Sequence, residues 1–324
     1  MLPCGYIPNM NTKSTLPKIL IVLGPTAVGK SDLAVELALK FNGEVISADS
    51  RQVYTGLNIG TGKITNPEMK GVPHHLIDIA DPKKRFSVAE YIQYGKVAIT
   101  DILNRGKVPI ICGGTGFYIQ ALVDGTIFPE VPPNETLRAE LSKLSADELK
   151  VQLKILDSKR HDSLNNDDSK NPRRLIRAIE IANKLGVAPT LSDILPTPDH
   201  TGQPIYNPLF IGLNVEPAII KEKIHTRLIK RIDTGMLQEA EQLHTQGLSF
   251  KRLDELGLEY RYMARFLQKQ LTKNEMIERL NTEIWHYAKR QMTWFKRNKR
   301  IQWYRPTDTE IIKTSVASFL STKV

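Results

Sequence analysis

The sequence predicts an α/β fold in which helices flank a parallel sheet and a helical subdomain is inserted. Over the first 125 residues, short apolar runs alternate with longer segments whose apolar side chains recur at helical spacing. The chain has 324 residues, of which 41% are hydrophobic, so it can bury one large core and a smaller subdomain. Strands that alternate with helices form parallel sheets, and these sheets bind ligands at the carboxyl ends of their strands.

The first strand and the first helix have the clearest patterns. Residues 18–23 (KILIVL) form a continuous apolar run that ends in glycine, which is typical of a buried strand. Residues 31–41 (SDLAVELALKF) place apolar side chains at helical spacing. The same reasoning predicts strands at 44–48, 75–79 and 108–112, a last core strand at 209–215, a long helix over 87–106, and helices from Glu216 to Asn298.

The composition changes at Pro129. The proline-rich segment PEVPPNE is followed by residues 134–185, which have the pattern of helices with polar faces, and by a proline-punctuated loop over 188–208. The sequence therefore predicts a catalytic core formed by 1–128 and 208–324, with a helical subdomain inserted at 129–207.

Composition also excludes several functional classes. No apolar run approaches the roughly 18 residues that a membrane helix needs, and the N-terminus has no apolar signal-peptide core, so we expect a cytoplasmic protein without membrane association. Cys4 and Cys112 lie far apart and outside any CxxC or His-rich cluster, so a disulfide framework and a zinc site are not expected. The net charge of +10 predicts attraction to a polyanion, although surplus lysine can also serve solubility alone.

Residues 24–31 (GPTAVGKS) match the P-loop pattern G-x-x-x-x-G-K-[ST], between a predicted strand and a predicted helix. Backbone N–H groups of residues 27–31 would converge on phosphate oxygens, Lys30 would neutralise them, and the Ser31 hydroxyl would reach Mg²⁺. The alternative interpretation is a helix-capping glycine turn. The match predicts a P-loop NTPase-like sheet, and by itself it is typical of enzymes that bind ATP.

A P-loop enzyme also needs an acid for its metal, and the expected position lacks one. The strand 108–112 ends in GGTG without a carboxylate, so the acid is missing or has moved to Asp78, which could equally cap a turn. The GGTG turn places the Thr115 hydroxyl at the carboxyl end of a strand, although a tight turn explains the same pattern.

Asp49, in SADSRQVY, follows the second predicted strand and therefore lies beside the P-loop. A carboxylate there can take a proton from a nucleophile that attacks a group anchored by its phosphates. An Asp-Ser pair after a strand is more often a turn or a helix cap, but the neighbouring P-loop favours the base. Gln52 carries the donor and acceptor that pair with an adenine edge.

Basic residues concentrate in two segments. NPRRLIRAIE (171–180) holds three arginines within two turns, and WHYAKRQMTWFKRNKRIQWYR (285–305) holds seven Lys or Arg, no acid and all three tryptophans. Basic side chains between aromatic ones are typical of RNA sites. The alternative, which we favour for the aromatic residues, is an amphipathic helix with Trp285, Trp294 and Phe295 in the core. Adjacent His74 and His75 would point to opposite sides of an extended segment, so we assign no metal to them.

Taken in order, these motifs resemble the tRNA dimethylallyltransferases, also called tRNA isopentenyltransferases, in their bacterial form. The resemblance covers nearly the whole chain, and no C-terminal C2H2 finger follows. The segment RHDSLNNDDSKNP departs from the usual wording of the family, as does LGLEYR. The matching segments are GPTAVGKS (24–31), DSRQVY (49–54), IGTGK (59–63), GVPHHLID (71–78), GGTGFY (113–118), RRLIRAIE (173–180) and AKRQMTWF (288–295).

The resemblance implies transfer of a dimethylallyl group from its diphosphate to N6 of the adenosine at tRNA position 37, which is flipped out. It implies Asp49 as general base, with Lys30 and Thr115 also in the reaction site, Mg²⁺ at Ser31, and a grip on the anticodon arm by the insert. The diphosphate would contact Gly24, Thr26, Ala27, Val28, Gly29, Lys30, Ser31 and Arg231. The tRNA would contact Asp49, Ser50, Arg51, Gln52, Thr115, Arg138, Arg173, Arg174 and Arg177. We expect a monomer.

Three rival functions fit parts of the sequence. A P-loop kinase of a small metabolite or nucleotide explains residues 19–125 but gives no task to the insert or the basic segments. A nucleotide-gated RNA-binding protein would hydrolyse NTP and leave no modified base. An adenylate isopentenyltransferase acts on a free nucleotide, which needs no insert for an anticodon arm.

Overall fold

A computed structural model of the chain describes residues 16–126, 128–129, 131–186 and 204–322. The described residues form two compact units, one within Met1–Val123 and Ile205–Val324, the other within Asp124–Pro204. The predicted loop over 188–208 lies for the most part outside the described residues. No helix in the described ranges is long and apolar enough to cross a membrane.

The first unit contains a sheet and its flanking helices. Its elements are β1 (Lys18–Leu23), α1 (Lys30–Lys40), β2 (Gly43–Ser47), α2 (Asn66–Met69), β3 (His74–His75), α3 (Val88–Asn104), β4 (Val108–Gly113), α4 (Gly116–Val123), β5 (Asn207–Leu213), α9 (Pro217–Asp233), α10 (Met236–Thr245), α11 (Phe250–Leu256), α12 (Leu258–Leu267), α13 (Lys273–Phe295), β6 (Gln302–Tyr304) and α14 (Thr309–Ser321).

The second unit contains helices α5 to α8, which pack around a small apolar core. Side chains of the residues before them cap these helices: Asn134 before α5, Ser145 before α6, Asp157 before α7 and Asn171 before α8. Pro172 begins α8, where a missing N–H costs nothing. The helices are α5 (Glu135–Leu141), α6 (Ala146–Leu156), α7 (Ser158–Asp162) and α8 (Pro172–Leu185).

The six strands are parallel and lie in the order β3-β2-β4-β1-β5-β6. This confirms the predicted α/β class. The register pairs Leu23 of β1 with Gly113 of β4, and Ser47 of β2 with Cys112 of β4. The carboxyl ends of these three strands therefore meet at one edge, and their following loops lie together there.

Two predicted strands differ from the structure. The strand expected over 75–79 is limited to His74–His75, because Leu76 (φ 61°) and Asp78 (φ 55°) adopt left-handed backbone that cannot continue a strand. The strand over 209–215 is not the last one, since β6 pairs with β5 outside it. At three residues, β6 is too short to show a pattern in the sequence.

The two histidines of β3 have structural partners. His75 Nε2 lies 2.7 Å from Glu44 Oε2, and His74 Nδ1 lies 2.8 Å from the carbonyl of Val72. Glu44 is buried and also accepts from Arg105 and Lys107, so these cations hold the pKa of its carboxyl well below the usual range.

Candidate active site

The loop between β1 and α1 is shaped to receive an anion. A Cβ on Gly24 (φ 148°) would lie 2.5 Å from the carbonyl oxygen of Leu213, so only glycine fits there. Gly29 (φ 96°) precedes α1, and no side chain caps the first turn. Unpaired N–H groups at a helix N-terminus bind phosphate readily. This segment contains seven of the predicted diphosphate contacts: Gly24, Thr26, Ala27, Val28, Gly29, Lys30 and Ser31.

Lys30 begins α1 at the floor of this site. Its Nζ donates to the carbonyl of Pro25 at 2.7 Å. Burial lowers the pKa of Lys30 to about 8, while Cys112 and Asp49 oppose that shift. The side chain is nevertheless partly accessible to solvent. A side chain that is both crowded by protein atoms and accessible lies in a concave surface.

The segment after β2 and the turn after β4 are in direct contact. The N–H of Ala48 donates to the carbonyl of Cys112 at 2.8 Å, and the N–H of Thr115 donates to the carbonyl of Ala48 at 3.1 Å. A Cβ on Gly113 would lie 2.2 Å from the oxygen of Ala48. Gly113, the first glycine of GGTG, is therefore needed for this close approach of two backbones.

Asp49 follows this contact and forms a turn, which was the alternative to a general base in the sequence. Its Oδ1 accepts from the N–H groups of Arg51 at 2.8 Å and Gln52 at 3.3 Å. Among the described residues, Oδ2 has no protein donor. One carboxylate oxygen thus holds the turn, and the other is available to accept a proton.

Thr115 lies between Asp49's turn and α13. Its Oγ1 accepts from the N–H of Ser50 at 3.1 Å. Tyr287 of α13 forms a hydrogen-bonding interaction with Thr115, and burial together with the nearby charge of Asp49 raises the pKa of Tyr287. No motif in the sequence pointed to Tyr287.

Gln291, also on α13, joins the P-loop to the GGTG turn. Its Oε1 accepts from the N–H of Thr26 at 2.9 Å, and its Nε2 donates to the carbonyl of Gly114 at 2.9 Å. The side chain is buried. No motif pointed to Gln291, although a glutamine on the apolar face that carries Ala288 and Phe295 was a signal.

Gln52 and Arg51 extend the site away from the P-loop. Gln52 accepts from Ser47 Oγ and donates to the carbonyl of Gly62, both at 3.4 Å, which is long for a hydrogen bond. Such weak contacts are easily exchanged for a ligand. The Arg51 guanidinium lies near the backbone of Gly257, where a Cβ would be 3.6 Å from its Nη2.

A buried carboxylate holds the loop IGTGK at the site. Glu239 accepts from the N–H groups of Asn58, Ile59 and Gly60 at 2.7–2.9 Å, and from the hydroxyl of Tyr260 at 2.6 Å. Arg231 donates to the carbonyl of Gly60 at 3.0 Å and to Glu259 at 3.1 Å. Arg231 therefore lies at the predicted site, where protein groups accept from its Nη1 and Nη2 and its buried Nε has no partner among the described residues.

Asp78 is held by a lysine. Lys63 Nζ donates to its Oδ1 at 2.5 Å, and Thr55 Oγ1 donates to its carbonyl at 3.1 Å. The ion pair favours a structural role for Asp78 over metal ligation. No group of three or more His, Cys, Asp or Glu in the described ranges could hold a metal ion.

The arginines of the second unit that were predicted to bind RNA differ in their hydrogen-bond and ion-pair partners. Arg138 and Arg177 both donate to Glu180, and Arg177 also donates to the carbonyl of Val131 at 2.8 Å. Arg174 forms an ion pair with Asp168. Arg173 is exposed, and its side chain has no partner among the described residues.

The aromatic side chains of the basic segment 285–305 are divided between core and surface. Phe295 is buried, as expected. Trp294 packs against Gly116 and is partly buried. Trp285 is partly buried, with the ammonium groups of Lys221 and Lys289 at 5.1 and 5.7 Å from its ring.

Comparisons with known proteins agree on one family. The sequence profile of the family described as IPP transferase matches residues 52–298. The chain is 42% identical to "tRNA dimethylallyltransferase 2" of Citrifermentans bemidjiense, over 88% of this chain and 89% of that protein. It is 40% identical to "tRNA dimethylallyltransferase" of Anoxybacillus flavithermus, over 94% and 95%.

A solved structure has the same fold over most of its length. The full-length tRNA isopentenylpyrophosphate transferase of Bacillus halodurans aligns with a TM-score of 0.69 at 33% identity, over 94% of this chain and 97% of that one. A eukaryotic dimethylallyltransferase acting on tRNA aligns with a TM-score of 0.77 at 25% identity, over 95% and 80%. The chain therefore belongs to the IPP transferase family.

Proposed function

We propose that the chain transfers a dimethylallyl group from dimethylallyl diphosphate to N6 of the adenosine at tRNA position 37, beside the anticodon, and releases pyrophosphate. The observation that carries the proposal is the convergence of three loops: Ser50 is bonded to Thr115, and Gln291 joins Thr26 to Gly114. The P-loop and the Asp49 carboxylate, whose Oδ2 has no donor among the described residues, therefore share one end of the sheet. The names of the relatives support this reaction over the rival functions.

In the proposed reaction, the P-loop holds the leaving group. Backbone N–H groups of residues 27–31 and the Lys30 ammonium bind the diphosphate and neutralise charge that develops as it departs. An allylic cation is stabilised by resonance, so cleavage of the C1–O bond can run ahead of attack. The phosphate is held and released as pyrophosphate, and it is not transferred.

Asp49 completes the exchange of bonds. As the C1–O bond of dimethylallyl diphosphate breaks, the N6–C1 bond forms, and Asp49 Oδ2 takes the proton that N6 loses. An exocyclic adenine amine is a poor nucleophile, so this proton removal matters. The base cannot reach the carbon from within a helical stack, so it must be flipped out, and Gln52 and Thr115 would then contact it.

The residues present fit a Mg²⁺ ion that is bound mainly through substrate phosphates. Mg²⁺ keeps several waters and needs few protein ligands, and the Ser31 hydroxyl in the first turn of α1 would supply one. When bound, the ion would supply further charge neutralisation on the diphosphate.

We also propose that the unit within Asp124–Pro204 binds the anticodon arm, since it carries Arg138, Arg173, Arg174 and Arg177. Arg173 is exposed and could bind a phosphate directly. The other three arginines form ion pairs with carboxylates and would contact RNA while they keep those partners. We expect a monomer acting in the cytoplasm, and light scattering in solution together with cell fractionation would check both.

The decisive assay combines the purified protein with dimethylallyl diphosphate, Mg²⁺ and unmodified tRNA that reads codons beginning with U. We expect prenylated adenosine by mass spectrometry and release of pyrophosphate. Phosphoryl transfer from ATP to a small acceptor, without a prenylated base, would favour a kinase instead.

Asp49→Asn tests the role of the base. Asparagine keeps the Oδ1 acceptor that Arg51 and Gln52 use, so the turn is preserved, but it cannot take a proton. We expect turnover to be abolished while tRNA binding stays within about twofold of wild type. Asp81→Asn is the matched control, because Asp81 Oδ1 also accepts a backbone N–H in an exposed turn. Loss of tRNA binding in Asp49→Asn would mean that Asp49 is structural.

A further inference from the structure

Gln291 of α13 lies between two peptide groups that belong to different loops. Its Oε1 accepts from the N–H of Thr26 at 2.9 Å, and its Nε2 donates to the carbonyl of Gly114 at 2.9 Å. A donor on one side and an acceptor on the other allow the side-chain amide only one orientation. A Cβ on Gly114 would lie 2.2 Å from Nε2, so this approach requires glycine there. Gln291 is also buried, so bulk water has little access to these bonds.

The first of these peptide groups also holds the Lys30 ammonium. The N–H of Thr26 and the carbonyl of Pro25 belong to one planar trans peptide unit and point in opposite directions. Lys30 Nζ donates to that carbonyl at 2.7 Å. An ammonium has three donors, so two remain for the phosphate oxygens of a substrate. Gln291 therefore fixes the plane of the peptide to which the Lys30 ammonium is bonded.

The second peptide group leads to Asp49. The carbonyl of Gly114 shares a peptide unit with the N–H of Thr115, and this N–H donates to the carbonyl of Ala48 at 3.1 Å. Thr115 Oγ1 accepts from the N–H of Ser50, also at 3.1 Å. Thr115 thus contacts the backbone on both sides of Asp49. The position of the GGTG turn therefore determines the position of the Asp49 backbone.

Together these bonds form one directed chain. The Lys30 ammonium donates to the first peptide, and the N–H of that peptide donates to Gln291. Gln291 donates to the second peptide, whose N–H donates to the carbonyl of Ala48, next to Asp49. Each amide accepts at its carbonyl and donates from its nitrogen, so each bond polarises and strengthens the next. Along the chain the donor–acceptor distances are 2.7, 2.9, 2.9 and 3.1 Å.

We propose that Gln291 is a positioning residue that fixes Lys30 and Asp49 relative to each other through this chain of hydrogen-bonded amides. This inference rests on the proposed function. Lys30 would hold the diphosphate that departs, and Asp49 would take the proton of the amine that attacks. The distance between these two residues therefore sets the alignment of the bond that breaks with the bond that forms. A misalignment of about 1 Å can lower the rate of a chemical step about 100-fold.

The first test separates group transfer from substrate binding. In Gln291→Met, a side chain of similar size neither accepts from Thr26 nor donates to Gly114. We expect the single-turnover rate constant for prenyl transfer to fall about 10- to 100-fold, while the Kd values of tRNA and of pyrophosphate with Mg²⁺ change by less than about threefold. Asn274→Met, which replaces an exposed amide of the same helix, should leave the rate constant unchanged. Leu280→Ala controls for general destabilisation, because it should lower Tm without slowing transfer well below Tm.

The second test uses pH to restore the chain in Gln291→Glu. Below the pKa of the new carboxyl group, one oxygen can accept from Thr26 while the hydroxyl donates to Gly114, as the amide does. Above that pKa, a carboxylate oxygen faces the carbonyl oxygen of Gly114 and the chain is broken. We expect the transfer rate constant of Gln291→Glu, divided by that of wild type, to rise about tenfold or more as the pH falls from about 8.5 to about 5.5.

The outcomes separate this inference from the proposed function. If wild type prenylates tRNA but Gln291→Met transfers the group at the wild-type rate, the assignment of Gln291 is wrong. A ratio for Gln291→Glu that stays near one at every pH also overturns the assignment, and this variant serves if Gln291→Met does not fold. Loss of substrate binding in step with loss of transfer would make Gln291 structural only. If wild type does not prenylate tRNA, the proposed function fails whatever the variants do.

Discussion

Glu239 is the buried carboxylate on which the loop at the candidate site depends most. It accepts from three consecutive backbone N–H groups, those of Asn58, Ile59 and Gly60, and from the Tyr260 hydroxyl. The same loop contacts Arg231 through the carbonyl of Gly60. Replacing Glu239 should therefore reduce both stability and activity.

The size of the effect follows from the four donors that lose their acceptor. Each unsatisfied buried polar group costs about 1–3 kcal/mol. Because water can refill part of the space, we expect Glu239→Ala to lower the free energy of unfolding by about 3–5 kcal/mol. Glu239→Gln keeps one acceptor oxygen but turns an NH₂ group toward a donor. It should therefore lower the free energy of unfolding by less, about 2 kcal/mol.

Urea unfolding followed by circular dichroism measures the free energy of unfolding of each variant, and steady-state kinetics measure its KM and kcat. We expect KM for dimethylallyl diphosphate to rise in Glu239→Gln, since the loop carries the contact to Arg231. Glu241→Gln is the control, because Glu241 is exposed on the same helix and should change the free energy of unfolding by less than about 0.5 kcal/mol. A loss below about 1 kcal/mol in Glu239→Ala would refute the idea that this carboxylate holds the loop.

Two further predictions concern charge. Burial lowers the pKa of Lys30 from 10.5 to about 8. Between these two pH values the unfolded chain binds more protons than the folded chain. The free energy of unfolding of the ligand-free protein should therefore rise with pH from about 8 to 10.5. Urea titrations at several pH values would detect this rise. An equal rise in Lys30→Met would show that Lys30 is not its cause. Arg173→Ala should reduce the slope of log affinity for tRNA against log salt by about 1, as measured by filter binding, because Arg173 is exposed, has no partner among the described residues and can neutralise one phosphate. An unchanged slope would exclude Arg173 from phosphate contact.

Local patterns in the sequence were sufficient for the longer strands of the sheet and for the loop between β1 and α1. A continuous apolar run before G-x-x-x-x-G-K-S predicts a buried strand, a turn and a helix, and β1 and α1 lie there. The sequence predicted a small-residue turn at GGTG, whereas the close approach of Gly113 to the backbone of Ala48 is seen only in the structure. The two short strands were not predicted correctly. β3 and β6 are defined by pairing with neighbouring strands, and a strand of two or three residues is too short to show a periodic pattern.

The partners of the polar groups were decided only by the tertiary structure. Gln291 bonds Thr26 across 265 positions of sequence, and Glu239 bonds Asn58 across 181. The resemblance implied Arg231 at the diphosphate, but the sequence did not show that Glu259 and the carbonyl of Gly60 accept from it. Periodicity reports which face of an element is apolar, whereas a hydrogen bond between distant elements depends on how those elements pack. The sequence thus predicted a phosphate-binding loop beside a carboxylate, and the packing of α9, α10 and α13 onto the loops determined which protein groups hold those loops together.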